Sequence, residues 1–263
     1  EVSKNNLSYT WRGNFKYDFN TYSGLYLGYA KGRRPRVIQF NPAGQHEIMK
    51  EEAVHSFDAG LKLNVSQRYW FDAGVFYQLY RNFQTTAWDS VSVNYLIRDA
   101  GKATSYGAEA NMKAALLSYL DVFGNYAYIH ARFDETDSRG YGQEYAGNHF
   151  RLTPEHSFAA GVHLRIPLNR YMHFFAVPSY TWKSHVWFED ANTPGLEQEA
   201  YGLLNARAGI EMKGPDLTLA LTGSNLLNEH YVISAGNTGT MFGVPTFVPG
   251  APRMLGMKLT WRF

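Results

Sequence analysis

Three groups of residues in this chain are of types that do chemistry. Arg33-Arg34-Pro35-Arg36 places three guanidinium groups within four positions. Each can grip a carboxylate or phosphate through two charge-assisted hydrogen bonds, so the cluster suits capture of an anion such as a ferric chelate. A solvated or lipid-headgroup-facing loop explains the same residues equally well. Trp187, Phe188 and Phe242 lie in segments without strand periodicity. There they can stack on a flat ligand or pack their own loops. Ser184-His185 near Glu189-Asp190 is the one local set with a hydroxyl, a base and an orienting acid, the parts of a hydrolase; a solvated loop histidine is the plainer reading.

The other signs of catalysis or metal binding are missing. The histidines, His46, His55, His130, His149, His156, His163, His173, His185 and His230, nowhere pair at i, i+4. His156 and His163 fall in one strand with opposite parity, so they sit on opposite faces and cannot share a metal. With Cys 0, a thiol nucleophile, a disulfide scaffold and a zinc ribbon are excluded. Phosphate-loop, zinc-protease, nucleophile-elbow and calcium-loop patterns are absent. No catalytic residue, metal ligand or cofactor is therefore assigned. Lys+Arg 25 against Asp+Glu 23 gives a net charge of +2, which makes no basic field for nucleic acid.

What must position these residues is a set of strands. Aromatics make up 16% and Gly numbers 24, while charged residues reach only 18%, below the roughly 25% of an ordinary soluble domain. Side chains alternate with period two from end to end. Leu7, Tyr9, Trp11, Gly13, Phe15 and Tyr17 oppose Ser8, Thr10, Arg12, Asn14, Lys16 and Asp18. Leu255, Met257, Leu259, Trp261 and Phe263 oppose Gly256, Lys258, Thr260 and Arg262. Each strand thus has one apolar and one polar face. About eleven such segments are predicted, near 6–18, 22–31, 54–66, 69–83, 103–115, 119–133, 156–167, 171–184, 200–212, 216–226 and 253–263. Each reaches the roughly 9–11 residues that a tilted membrane-crossing strand needs.

Short turns at Asn20-Thr21, Ser66-Gln67-Arg68, Leu116-Leu117-Ser118, Pro167-Leu168-Asn169 and Lys213-Gly214-Pro215 alternate with longer connections. The longer ones fall near 32–53, 84–102, 134–155, 185–199 and 227–252. Tyr69, Trp70, Tyr126, Tyr128, Tyr180 and Trp182 gather near strand ends, where rings with one wet side suit the headgroup zone. This is the pattern of an all-β, transmembrane antiparallel β-barrel of the outer-membrane kind, with short periplasmic turns and long extracellular loops. A soluble sandwich also alternates, but it would have to bury about eleven aromatic-rich faces in one core.

Several stretches resemble the C-terminal half of TonB-dependent outer-membrane receptors. Asn225-Leu226-Leu227-Asn228-Glu229-His230-Tyr231 looks like the family's penultimate-strand signature. Pro249-Gly250-Ala251-Pro252-Arg253, before a last strand ending in Phe263, is similar to its closing segment. Tyr106-Gly107-Ala108-Glu109-Ala110, the run from Gly147-Asn148 and Arg151 into Pro154-Glu155-His156-Ser157, and Glu51-Glu52 with Asp58-Ala59-Gly60 resemble three earlier regions in family order. Leu227 stands where an aromatic is common and Asp58 where Glu is common.

The resemblance implies a bacterial outer-membrane protein that takes up a scarce ligand, most often a ferric siderophore or haem, with energy relayed by TonB to a plug domain. It also implies that residues 1–263 supply about 11 strands of a 22-stranded barrel. The plug and the remaining strands would belong to the N-terminal half of the receptor, the expected partner of this chain. Arg33, Arg34, Arg36, Trp187 and Phe242 are the expected ligand-binding residues. Leu259, Trp261 and Phe263 are the expected insertion signal for the barrel-assembly machinery. Arg12, Lys16, Lys62, Glu109 and Lys113 would face plug and water, while the apolar sets meet outer-membrane lipid. Parity adds a further expectation: if Phe263 closes at the periplasmic end, the first strand also descends and Glu1 begins outside the cell. A self-contained small porin-like barrel and a barrel-embedded hydrolase are the alternatives.

Overall fold

The computed structural model describes residues 7–41, 43–66, 68–89, 94–137, 139–214, 216–236 and 244–262. Eleven strands form one antiparallel sheet: β1 (Trp11–Asn20), β2 (Ser23–Arg34), β3 (Glu52–Val65), β4 (Tyr69–Arg81), β5 (Ala103–Leu117), β6 (Leu120–Phe133), β7 (His156–Pro167), β8 (Met172–Lys183), β9 (Tyr201–Met212), β10 (Leu217–Ser224) and β11 (Met254–Trp261). Every strand pairs with the next in sequence, so the sheet is an up-and-down meander with β1 and β11 at its edges. The expected segments are all present, with shifted ends. The first was expected over 6–18 but runs Trp11–Asn20, because its ladder begins at the Trp11–Lys31 pair. Phe263 and Phe242 lie outside the described residues.

The five short turns sit at one end of the sheet. Asparagine side chains shape two of them: Asn20 Oδ1 accepts the Tyr22 amide at 2.8 Å, and Asn169 Oδ1 accepts the amides of Tyr171 at 2.9 Å and Met172 at 3.0 Å. Ser66 and Asp216 take positive φ, 57° and 45°, in two others. The five long connections share the other end, and four of them fold into two-stranded ribbons. These pair Ile38–Phe40 with His46–Ile48, Gln84–Asp89 with Asn94–Asp99, Val186–Trp187 with Glu197–Gln198, and Val232–Gly236 with Thr246–Pro249.

Residues paired across an antiparallel ladder point to the same side, so the registers carry each face across the whole sheet. One apolar row runs Tyr17, Leu25, Leu61, Ala73, Ala110, Tyr126, Phe158, Trp182 over β1 to β8. The neighbouring polar row runs Lys16, Tyr26, Gly60, Gly74, Glu109, Ala127, Ser157, Lys183. On the apolar face Leu27 is 52% exposed, Val75 57% and Leu221 63%, so among the described residues this face is left open across the sheet. On the polar face bulky rings lie flat on the next strand where its side chain is missing. A Cβ on Gly60 would come within 2.4 Å of the Tyr26 ring, and one on Gly161 within 2.3 Å of Phe123.

The packed core sits at the long-loop end. Ala103 and Phe133, on the polar face of β5 and β6, are 1% and 2% exposed beneath Tyr145, Phe83 and Phe150. The loops therefore fold over the polar side of the sheet. The Asn225 motif is the knot that closes the last long loop. Asn225 is 3% exposed with φ 48°. Its Nδ2 donates to the carbonyls of Glu229 at 2.9 Å and Ala251 at 3.0 Å, and its Oδ1 accepts the Glu229 amide at 2.8 Å. A short amide that tolerates the left-handed region is the side chain this bend needs.

Candidate functional site: a loop platform over a polar wall

Three long loops are tied to one another by side chains rather than by backbone ladders. Asp190, 9% exposed, is the hub. Its carboxylate accepts the Thr85 hydroxyl and the Arg151 amide, the latter at 3.0 Å, while its carbonyl accepts Asn148 Nδ2 at 3.0 Å. Next to it, Asn192 grips the His149 backbone from both sides, its Oδ1 accepting the amide at 2.7 Å and its Nδ2 donating to the carbonyl at 3.0 Å. Gln143 joins the loop before β5 to the loop after β6, its Nε2 donating to the Lys102 carbonyl at 3.0 Å. These bonds hold loops 84–102, 134–155 and 185–199 as one body.

A cavity of about 480 Å³ opens among these loops and the ribbon of the last one, lined by Tyr95, Arg98, Tyr145, Arg151, Phe188 and Glu189 among others. Its size fits a drug-sized ligand, and its lining mixes rings, guanidinium groups and carboxylates. Burial raises the phenol pKa of Tyr145, helped by the charge of Glu144, and that of Tyr95, helped by Glu189. Both phenols therefore stay neutral and offer a ligand hydrogen bonds without adding negative charge.

Below the loops the polar face carries charge of both signs. Asp58, Asp72 and Glu109 surround Tyr26, with Lys62 3.8 Å from Asp72. Toward the short-turn end the wall becomes basic, with Arg165, Arg207, Lys258 and Arg262 around a cavity of about 570 Å³. Arg165 is held by Glu211 at 2.8 Å, and Arg207 lies over the Phe175 ring at 5.0 Å.

The structure does not bring the sequence-predicted ligand residues together. Arg33 and Arg34 are consecutive in β2 and so point to opposite faces. Arg33 pairs with Glu51 at 2.8 Å, whereas Arg34 donates to the Gln84 carbonyl at 2.9 Å on the polar side. Arg36 follows the strand and is exposed. Trp187 packs edge-on to His185, with ring centroids 4.8 Å apart, and Phe188 is buried with Leu196 and Ala235. Ser184, His185 and Asp190 have separate partners: the Ser184 hydroxyl accepts the His156 amide at 3.0 Å, His185 meets Glu197 at 3.2 Å, and Asp190 is the loop hub. Among the described residues no group of His, Asp and Glu is placed to hold a metal ion. Sequence reasoning named Asp190 only as an orienting acid for His185 and missed its place as the loop hub, and it missed Asn192 and Gln143, because their partners are far off in sequence.

Comparison with known proteins gives one concordant picture. The family model described as TonB dependent receptor-like, beta-barrel matches residues 1–226. No curated protein matches the chain. Among solved structures, the chain is similar to the ferric yersiniabactin uptake receptor FyuA from Yersinia pestis, at 17% identity and TM-score 0.77 over 94% of this chain and 36% of that one. It is similar to BauA, the ferric preacinetobactin receptor from Acinetobacter baumannii, at 15% identity and TM-score 0.71, covering 96% of this chain and 36% of that one. It is also similar to the ferric-catecholate import receptor Fiu from K12 E. coli, at 19% identity and TM-score 0.65, covering 95% and 34%. The chain thus spans about a third of the length of these structures.

Proposed function

The chain belongs to the family of TonB-dependent receptor-like β-barrels, and on that premise we propose that it is part of an outer-membrane receptor for the active uptake of a scarce ligand, a ferric siderophore foremost. The observation that carries this reading is the two-faced sheet. One face is apolar across eleven strands and unpacked, as a wall against lipid must be; the other carries balanced charge and is roofed at one end by interlocked loops. Relatives named as receptors for ferric chelates support the ligand class.

In this reading residues 1–263 are the C-terminal part of the barrel. The rest of the receptor supplies the plug and the remaining strands, joined at the β1 and β11 edges. The long loops are extracellular and the short turns periplasmic. Ligand settles on the loop platform, with Arg34, Arg36 and the cavity beside Asp190 as its contacts. TonB acts through the plug, which rests on the polar wall near Glu109 and the basic group around Arg207. Leu259, Trp261 and Phe263 are read by the barrel-assembly machinery.

The test is uptake of radiolabelled ferric chelates by cells carrying the intact protein as their sole receptor, with and without a protonophore. The proposal expects uptake that a protonophore abolishes. Uptake that continues unchanged would favour the passive porin-like barrel.

A further inference from the structure

The ribbon of the first long loop turns its apolar side outward. It pairs Ile38 with Ile48, Gln39 with Glu47 and Phe40 with His46. Ile38, Phe40, His46 and Ile48 therefore share one face, and Gln39 and Glu47 the other. The polar face is the one spent on a neighbouring loop. Gln39 meets the backbone of Ile97 as an adjacent strand would, its Nε2 donating to the carbonyl at 2.7 Å and its Oε1 accepting the amide at 3.0 Å. The apolar face looks away from that contact. Phe40 is 62% exposed, Ile48 41% and Ile38 38%. A loop folded for water alone turns such a face under, and one left open beside polar residues marks a contact surface.

The ribbon is held in this attitude. Gln84, 4% exposed, staples its root: Nε2 donates to the carbonyl of Pro35 at 3.1 Å on one leg and to that of Lys50 at 2.9 Å on the other. Met49 is buried beside it, its amide donating to the Val37 carbonyl at 2.8 Å. At the tip Asn41 Oδ1 accepts the Gln45 amide at 2.9 Å. Rolling the apolar face under would break the Gln39 and Gln84 bonds, and the Gln84 amide is too buried for water to replace them.

The open edge of the sheet lies beside this ribbon. Among the described residues β1 pairs with β2 alone, which leaves its other side without a ladder. β1 and β2 share a short turn, so β1 starts at the long-loop end, where Trp11 stands opposite Lys31 near the foot of the ribbon. The residues before it emerge there, with Leu7 76% and Tyr9 66% exposed. The chain spans 36% of FyuA and 36% of BauA, so a receptor of their length has further chain to place at this edge.

We propose that the apolar face of the ribbon is the seat of the connection that leads into β1, a segment of the same receptor that sets aliphatic or aromatic side chains against Ile38, Phe40 and Ile48. The inference rests on the reading of residues 1–263 as the C-terminal part of a barrel whose other strands join at β1. Continuity selects this occupant. The connection has to arrive at the start of β1, beside the ribbon, from a strand that pairs with the open edge. The ribbon then carries an apolar contact on one face and the Gln39–Ile97 bonds on the other. It thereby ties the loops across the β1 seam to the platform around Asp190.

The experiment places p-benzoylphenylalanine in turn at Phe40, Ile48 and Glu47 of the intact receptor in outer membranes. After irradiation, crosslinked peptides are identified by mass spectrometry. Phe40 and Ile48 should crosslink to receptor residues before Trp11, with about tenfold more product than Glu47 on the opposite face gives with that segment. Ile38→Ser/Phe40→Ser/Ile48→Ser should speed hydrogen exchange in the same segment by about tenfold or more, because apolar burial is lost, and leave loop 84–102 unchanged. No product, or equal product from both faces, overturns the proposal. So do products from Phe40 and Ile48 with lipid, with a separate protein or with another part of the receptor, and so does unchanged exchange in the triple variant. Chelate uptake by the same cells keeps the two readings apart. A receptor that imports but gives no such crosslink fails this inference alone, and one that gives the crosslink but imports nothing fails the functional proposal alone.

Discussion

Asn225→Ala is the substitution whose cost the structure lets one work out most fully. The Asn225 side chain is buried and makes three hydrogen bonds, to the Glu229 carbonyl, the Ala251 carbonyl and the Glu229 amide. Alanine leaves all three backbone groups without that partner. An unsatisfied buried group costs about 1–3 kcal/mol, and local relaxation lets water reach some of them. Alanine must also hold φ 48°, which costs about 1 kcal/mol for a residue with a Cβ and no local hydrogen bond. The expected loss is therefore about 3–5 kcal/mol. Asn225→Gly should recover about 1 kcal/mol of it, because glycine takes positive φ freely. Asn225→Asp keeps the acceptor for Glu229 but turns an anion toward two carbonyls, so it should fare no better than alanine. Urea unfolding of the intact protein in detergent, followed by tryptophan fluorescence, measures the series. If Asn225→Ala unfolds within about 0.5 kcal/mol of wild type, or glycine gains nothing over alanine, the knot is not what holds the last loop.

Four further outcomes are expected. Leu61→Arg, Leu219→Arg or Leu259→Arg should each cost about 2–4 kcal/mol in a bilayer-embedded barrel, while Lys62→Ser on the polar face should be mild, as unfolding titrations in lipid would show. Asp190→Ala should loosen loops 84–102, 134–155 and 185–199 together, seen as faster hydrogen exchange in all three, because it removes one acceptor shared by Thr85 and Arg151. His149 is held below its ordinary value of 6.5 by burial and then by the charge of Arg132. The unfolded loop therefore binds the proton more readily, so its stability is full above that value and falls as pH drops below it, which exchange rates at pH 7 and pH 5 would reveal. Deleting Phe263 should lower the yield of assembled protein in outer membranes, and an unchanged yield would remove it from the insertion signal.

The strands and their faces were legible in the sequence because the period of two is a local property. Leu61, Leu63 and Val65 against Lys62, Asn64 and Ser66 declare two sides without any knowledge of their neighbours. The register that aligns Leu61 with Ala73 follows from the short turn between β3 and β4, which leaves little freedom to slip, whereas the one that aligns Leu61 with Leu25 spans a long loop and follows from matching the apolar faces. Parity also holds the answer to Arg33 and Arg34, which no strand can aim the same way, although a run of arginines reads most easily as one patch. The platform was not legible. Thr85 and Asp190 are 105 positions apart, and neither stands in a pattern that announces the other. Their meeting depends on loops folding over the sheet, which side-chain alternation does not describe. The Asn225 motif lies between these cases: resemblance marked it, and the structure supplies the reason in one buried amide serving two carbonyls and one amide hydrogen.

The wall itself is tested most directly by single cysteines. This chain has Cys 0, and with any cysteine in the rest of the receptor replaced by serine each introduced thiol reports without background. Cysteine placed in turn at positions 57 to 63 of the intact protein, labelled with a fluorophore and reconstituted in bilayers of brominated lipid, reads contact with the acyl chains residue by residue. The account predicts strong quenching at Phe57, Ala59, Leu61 and Leu63, and weak quenching at Asp58, Gly60 and Lys62. Quenching without alternation, or alternation of the opposite phase, would contradict it.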